Sequence, residues 1–163
     1  MSSLQVDSIS SMGGGHVDGA GKVVQYVETS NPDSEHIRIT SESWVSTGIT
    51  VSITPKLIGS KICVDYKGSM AYVPKTISAT TPESMYITLF ESGVQVLGDY
   101  GVGYLVAFEV NMYSPLVCQG VFTTTNLNPL EFAVYARRVN GTKHVTPVHA
   151  ESSYILSATE IAQ

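Results

Sequence analysis

Leu130-Glu131-Phe132-Ala133-Val134-Tyr135-Ala136-Arg137-Arg138-Val139-Asn140-Gly141 is the stretch that decides the fold class. Phe132 and Val134 share one face at a spacing of two, while Glu131, Tyr135 and Arg137 occupy the other. That alternation is the period of a half-buried strand, not of a helix. Asn140-Gly141 then supplies two residues that tolerate positive φ, the signal of a tight hairpin turn.

The same period recurs on both sides. Ile49, Val51 and Ile53 alternate with Thr50, Ser52 and Thr54 until Pro55 removes a ladder donor. Ile62, Val64 and Tyr66 alternate with Lys61, Cys63, Asp65 and Lys67, and Ile87 and Leu89 with Tyr86, Thr88 and Phe90. Strands are expected over 22–29, 36–40, 43–54, 60–67, 69–73, 85–91, 94–98, 102–111, 116–125, 130–139 and 153–162. The proline-bracketed stretch from Pro74 to Pro82 reads as a polar loop. So many short strands with turn signals between them predict an all-β, antiparallel β-sandwich of jelly-roll type. It forms one domain over 22–163.

Residues 1–21 read differently. Leu4, Val6 and Ile9 form a single short alternating piece, followed by the Gly13-Gly14-Gly15 run and two further glycines. A lone strand with a glycine linker has too little apolar area to offset its own ordering entropy. This N-terminal arm is therefore expected to dock on a partner surface.

Composition narrows the function classes. Charged residues make up 14% of the 163, against roughly 25% in ordinary soluble proteins. Two explanations stay open: a surface covered by other subunits, or a hydroxyl-rich β exterior. The net charge of −5 and the single weak basic group, Arg137-Arg138 with Lys143 and His144, argue against nucleic-acid binding. No window is long and apolar enough for a spanning helix, so no membrane partner is expected. The first residues lack a basic, apolar leader pattern, which predicts a chain made in a cytoplasm.

Reactive constellations are sparse. Cys63 and Cys118 stand in strand-like runs without a CxxC pattern and are expected to be reduced, core-facing thiols; a cross-strand bridge between them remains open. His16, His36, His144 and His149 show no metal-ligand spacing. The five-residue separation of His144 and His149 predicts opposite faces of an extended segment. There is no nucleophile elbow, phosphate-binding loop or dinucleotide fingerprint. No catalytic residue, metal or cofactor is expected, and the chain is expected not to be an enzyme. Trp44 and the tyrosines Tyr100, Tyr104 and Tyr113 could instead make a sugar-stacking platform, against the plainer reading of strand and core aromatics.

Three segments carry a resemblance. They are Leu4-Gln5-Val6-Asp7-Ser8-Ile9 with Gly21-Lys22-Val23-Val24-Gln25, then Trp44 to Pro55 with Ser60-Lys61-Ile62-Cys63-Val64, and the close Ser157-Ala158-Thr159-Glu160-Ile161-Ala162-Gln163. Together they resemble small structural proteins of tailed bacteriophages, marine and cyanobacterial ones especially: short tail-fibre, head-fibre and head-decoration subunits. The resemblance implies a virion protein, assembled in the host cytoplasm, whose arm (Leu4, Val6, Ile9) attaches to the major capsid protein or to a tail or neck protein. It also implies a jelly-roll-like head that forms a homotrimer. A capsid-decorating or head-fibre role is the first expectation, and a tail-fibre module that reads host surface glycan is the alternative.

Overall fold

The computed structural model describes residues 21–31, 36–74, 82–97, 103–107, 110–140, 143–150 and 152–163. The arm residues Leu4, Val6 and Ile9, the loop from 75 to 81, and Tyr100 lie outside the described residues.

The described residues form β1 (Val23–Asn31), β2 (Ile37–Ile39), β3 (Val45–Ile53), β4 (Lys61–Val73), β5 (Glu83–Glu91), β6 (Val94–Gln95), β7 (Gly103–Ala107), β8 (Met112–Thr123), β9 (Leu130–Asn140), β10 (Val145–Val148) and β11 (Tyr154–Ile161). One sheet runs β1-β11-β4-β8, with β10 and β2 continuing beside the far half of β4. The other runs β3-β9-β5, with β6 and β7 along the remaining edge of β5. Every pairing is antiparallel. The two sheets pack face to face as a β-sandwich, and most successive long strands change sheet, which is the jelly-roll order.

Alternation decides which side chains form the core. Ile62, Val64 and Tyr66 of β4 are buried, as are Ile49, Val51 and Ile53 of β3 and Phe132 and Val134 of β9. The Phe122 and Phe132 rings, 4.8 Å apart, join the two sheets through the core.

The expected strands 60–67 and 69–73 are one strand, β4. Gly68 allows this because a Cβ there would sit 2.5 Å from the Tyr66 hydroxyl. β8 begins at Met112, earlier than expected, and keeps Pro115 inside; as an edge strand paired only to β4 it can spare a ladder donor.

Two expectations fail for stated reasons. Gly141 of the expected turn lies outside the described residues, and the strands on either side of it do not pair as a hairpin. β9 pairs with β3 and β5, whereas β10 pairs with β4 and β2, so this connection crosses between sheets. The tight hairpin lies instead at Ser92-Gly93 (φ 48° and 84°), which joins β5 to β6 with Glu91 opposite Val94. Cys63 is not a core thiol either. Its neighbours Ile62 and Val64 take the inward positions, so it faces outward, half-buried, while Cys118 is buried. Both thiols are free.

Candidate recognition site

The two ends of the sandwich differ in chemistry. At one end the backbone of Gly21 donates to Ala162 O (2.7 Å), so a segment preceding Gly21 starts from this end. The connection from β3 to β4 turns here, held by the buried Glu160 of β11. Its Oε1 accepts from Ser60 Oγ (2.7 Å) and Leu57 N (2.9 Å), and its Oε2 from Lys56 N (3.0 Å) and Gln25 Nε2 (2.7 Å). Burial pushes the carboxyl pKa up, but the bonds from Ser60, Lys56, Leu57 and Gln25 outweigh it and hold the group below the usual glutamate range. Glu160 is a clamp, not an acid poised for proton transfer. The clamped turn exposes Leu57 and Ile58, and Leu127 is exposed in the connection from β8 to β9.

At the far end imidazoles and phenols gather. The His36 and His149 rings stand edge-to-face at 4.4 Å, and His149 lies 5.8 Å from Tyr72 and 5.6 Å from Tyr113. His144 is 6.5 Å from the same Tyr72 ring. The expectation that His144 and His149 face apart therefore fails: β10 covers only the four residues between them and changes register within itself, so strand parity does not carry across. Burial, then the charges of His149, Arg38 and His144, lower the His36 pKa from its ordinary value. Among the described residues no group of three or more His, Cys, Asp or Glu side chains is placed to hold a metal ion.

Toward this far end, the outer face of the five-stranded sheet carries a transverse row of aromatics around an arginine. Tyr104 of β7 lies opposite Tyr86 of β5, and Tyr86 opposite Arg137 of β9. Val45, the first residue of β3, lies opposite Ala136, which sets Trp44, just before the strand, beside Arg137. Tyr86 and Tyr104 stack at 4.6 Å. The Arg137 guanidinium sits 4.7 Å from the Trp44 ring centroid and 5.7 Å from that of Tyr86. Phe90 adjoins, stacked on Tyr135 at 3.8 Å and edge-on to Trp44 at 6.4 Å. Beside the row, Arg138 pairs with Glu42 at 3.0 Å.

The structure thus divides the tyrosines read from the sequence as one platform. Tyr104 belongs to the aromatic row, 49% exposed, whereas Tyr113 belongs to the other sheet, stacked near Tyr72 at 4.8 Å. Tyr86, Tyr135, Phe90 and Arg137 were missed as site residues. Their outward parity was legible, but their cross-strand neighbours were not.

A further feature is the outer face of the six-stranded sheet. Tyr113, Val117 and Val121 of β8 are exposed there, Val121 at 64%. Lys67 of β4 lies between Val117 and Ile155, Asp65 between Gln119 and Ser157, and Cys63 between Val121 and Thr159, so charged and polar side chains separate the exposed apolar ones across the three strands.

No protein-family model matches the chain, and no curated protein matches it either.

Proposed function

We propose that this chain is a non-enzymatic structural subunit of a tailed-bacteriophage virion. It is a homotrimeric capsid-decorating or head-fibre-type protein, anchored through the arm bearing Leu4, Val6 and Ile9 to a capsid, neck or tail protein. The observation that carries the reading is the outer face of the six-stranded sheet. Tyr113, Val117, Val121 and Ile155 are exposed on one sheet face around Lys67 and Asp65, and exposed apolar side chains interspersed with polar ones are the make-up of protein–protein contacts. Sister subunits covering that face would also shield the edge strand β8, whose twelve residues contain no charged side chain. The polarity of the molecule adds support: the arm is tethered at the end that exposes Leu57 and Ile58, leaving the aromatic end to point outward.

Native mass spectrometry tests the trimer. The intact chain is expected at three times its mass, and Val117→Glu with Val121→Glu at the monomer mass with unchanged circular dichroism. Deleting residues 2–15 tests the anchor: particles assembled with the shortened chain should lack it, and undiminished incorporation would refute the attachment role.

A second reading, a tail-fibre or receptor-binding module that recognises host surface glycan, is favoured by the row of Trp44, Arg137, Tyr86 and Tyr104.

A further inference from the structure

The turn that Glu160 clamps has its backbone satisfied from within the chain. Lys56 N and Leu57 N donate to the buried carboxylate at 3.0 and 2.9 Å. Leu57 O accepts from Ser60 Oγ at 2.8 Å and from Thr124 Oγ1 at 2.7 Å. Gly59 N donates to Thr124 O at 2.9 Å, and Gly59 itself, at φ 84°, supplies the left-handed position that closes the turn. A partner surface can cover these backbone groups without orphaning them.

The side chains of the same turn point outward. Leu57, Ile58 and Leu127 are exposed, Ile58 at 69%. Leu127 follows Thr124 by three residues, and Thr124 holds the turn through its hydroxyl and its carbonyl, so the two connections cross this end side by side. The second connection has a bond of its own, from Asn128 N to Asn126 Oδ1 at 2.8 Å. A single exposed leucine calls for no explanation. The hydrogen bonds explain why this end is rigid, but not why its tip is aliphatic.

Charge selects the chemistry of the partner. Lys56 adjoins Leu57, Lys22 O accepts from Ala162 N, and Lys61 opens β4 opposite Ile161. Three of the nine Lys and Arg residues therefore stand at this end, in a chain of net charge −5. Glu160 is buried and hydrogen-bonded, and Glu91 and Glu131 belong to the five-stranded sheet. Among the described residues the six-stranded side of this end is thus cationic. The arm joins the fold here, at Gly21. The chain from Ile9 to Gly21 reaches at most about 40 Å, which keeps whatever holds the arm close to the tip.

We propose that the Leu57–Ile58 turn and Leu127 form a second, preformed contact with the protein that holds the arm, seated in an apolar groove rimmed by carboxylates. The aliphatic side chains fill the groove, and Lys22, Lys56 and Lys61 meet its rim. Because the turn is already rigid, docking it costs little ordering entropy. An anionic lipid surface offers the same charge but no strand edge for an extended arm to pair with. The inference rests on the attachment reading and names the rigid half of that contact.

The test adds purified full chain to particles of the encoding phage assembled without it, and follows binding by sedimentation. Binding should be saturable and should weaken as salt rises. Ile58→Asp with Leu127→Asp, both at exposed sites, should weaken it by at least about tenfold with the melting temperature unchanged, whereas Ile58→Met should bind as the wild type. Lys22→Glu, Lys56→Glu and Lys61→Glu together should also weaken it by at least about tenfold. Leu4→Ser, Val6→Ser and Ile9→Ser together test the arm separately. Tip variants that bind as the wild type, beside an arm variant that does not, would overturn the tip and leave attachment standing. No binding of the full chain would overturn both. Lysine reversals without effect would overturn the acidic rim. Sedimentation of the full chain with phosphatidylserine vesicles, lost in Ile58→Asp, would assign the tip to a lipid surface and overturn the protein partner.

Discussion

The Ser60 hydroxyl donates to Glu160 Oε1 at 2.7 Å, tying residues a hundred positions apart at the end of the sandwich where β1, β4 and β11 meet. Ser60 also approaches the Thr124 hydroxyl at 3.1 Å, so one buried carboxylate organises the connection from β3 to β4 and the start of that from β8 to β9. The sheets are held together at this end by polar contacts as well as by packing.

Ser60→Ala should therefore lower stability by about 1.5–3 kcal/mol near neutral pH, the range for a hydrogen bond to a charged group. The pH dependence follows from the lowered carboxyl pKa. The unfolded chain takes up the proton first, so the stability Glu160 supplies is whole above its ordinary value of 4.5 and is lost as pH falls through the lower folded-state value. Urea titrations across pH 3 to 7 should show Glu160→Gln flattening the acid limb; an acid limb unchanged from wild type would refute the clamp.

Tyr66→Phe should be neutral or stabilising by up to about 1 kcal/mol. The Tyr66 hydroxyl is buried without a hydrogen-bond partner, and removing a polar atom that gained none on folding removes its desolvation cost. Burial also pushes its pKa well above the ordinary tyrosine value. Thermal unfolding of the two proteins side by side measures the difference, and a loss above 1 kcal/mol would show an undetected partner.

The two thiols should separate by reactivity. Cys118 is buried, and burial pushes its pKa up to about 12, which leaves almost no thiolate at pH 8. Cys63 sits half-buried on the outer face of the six-stranded sheet. Thiol labelling of the native protein should modify Cys63 alone, more slowly at concentrations where the chain associates, with Cys118 reacting only after unfolding. Peptide mapping that finds Cys118 labelled in the native protein would contradict this packing.

His36 should titrate below 6.5, because burial and then the neighbouring charges of His149, Arg38 and His144 oppose its protonation. With the folded value lowered, the contribution of this end to stability is whole above 6.5 and declines as pH falls below it. His149→Asn should move the His36 midpoint back toward 6.5, read from its imidazole proton shifts in NMR. A midpoint that stays put would remove His149 from the account.

Much of the fold was legible because strand periodicity is a local property. The alternation of Ile62, Val64 and Tyr66 identified core positions without knowledge of any partner strand, whereas Cys63 was expected in the core although its parity is opposite to theirs. Boundaries and pairings were less legible. Gly68 and Pro115 look like interruptions, yet the first makes room for the Tyr66 hydroxyl and the second sits on an edge strand that can lose a donor. Asn140-Gly141 has the composition of a hairpin but connects two sheets, because sequence expresses which φ a residue tolerates and not which strand comes next in space. Ser92-Gly93 makes the hairpin with weaker sequence credentials.

By itself the sequence determined the all-β class and the inward and outward faces of the long strands, since alternation is set by neighbours along the chain. Only the tertiary structure decided that Trp44, Tyr86, Tyr104 and Arg137 form one row, that Tyr113 stands apart from it, and that Glu160 meets Ser60. Those relationships depend on strand order and register across the sheets, which arise from the packing of the whole core and leave no trace in local spacing.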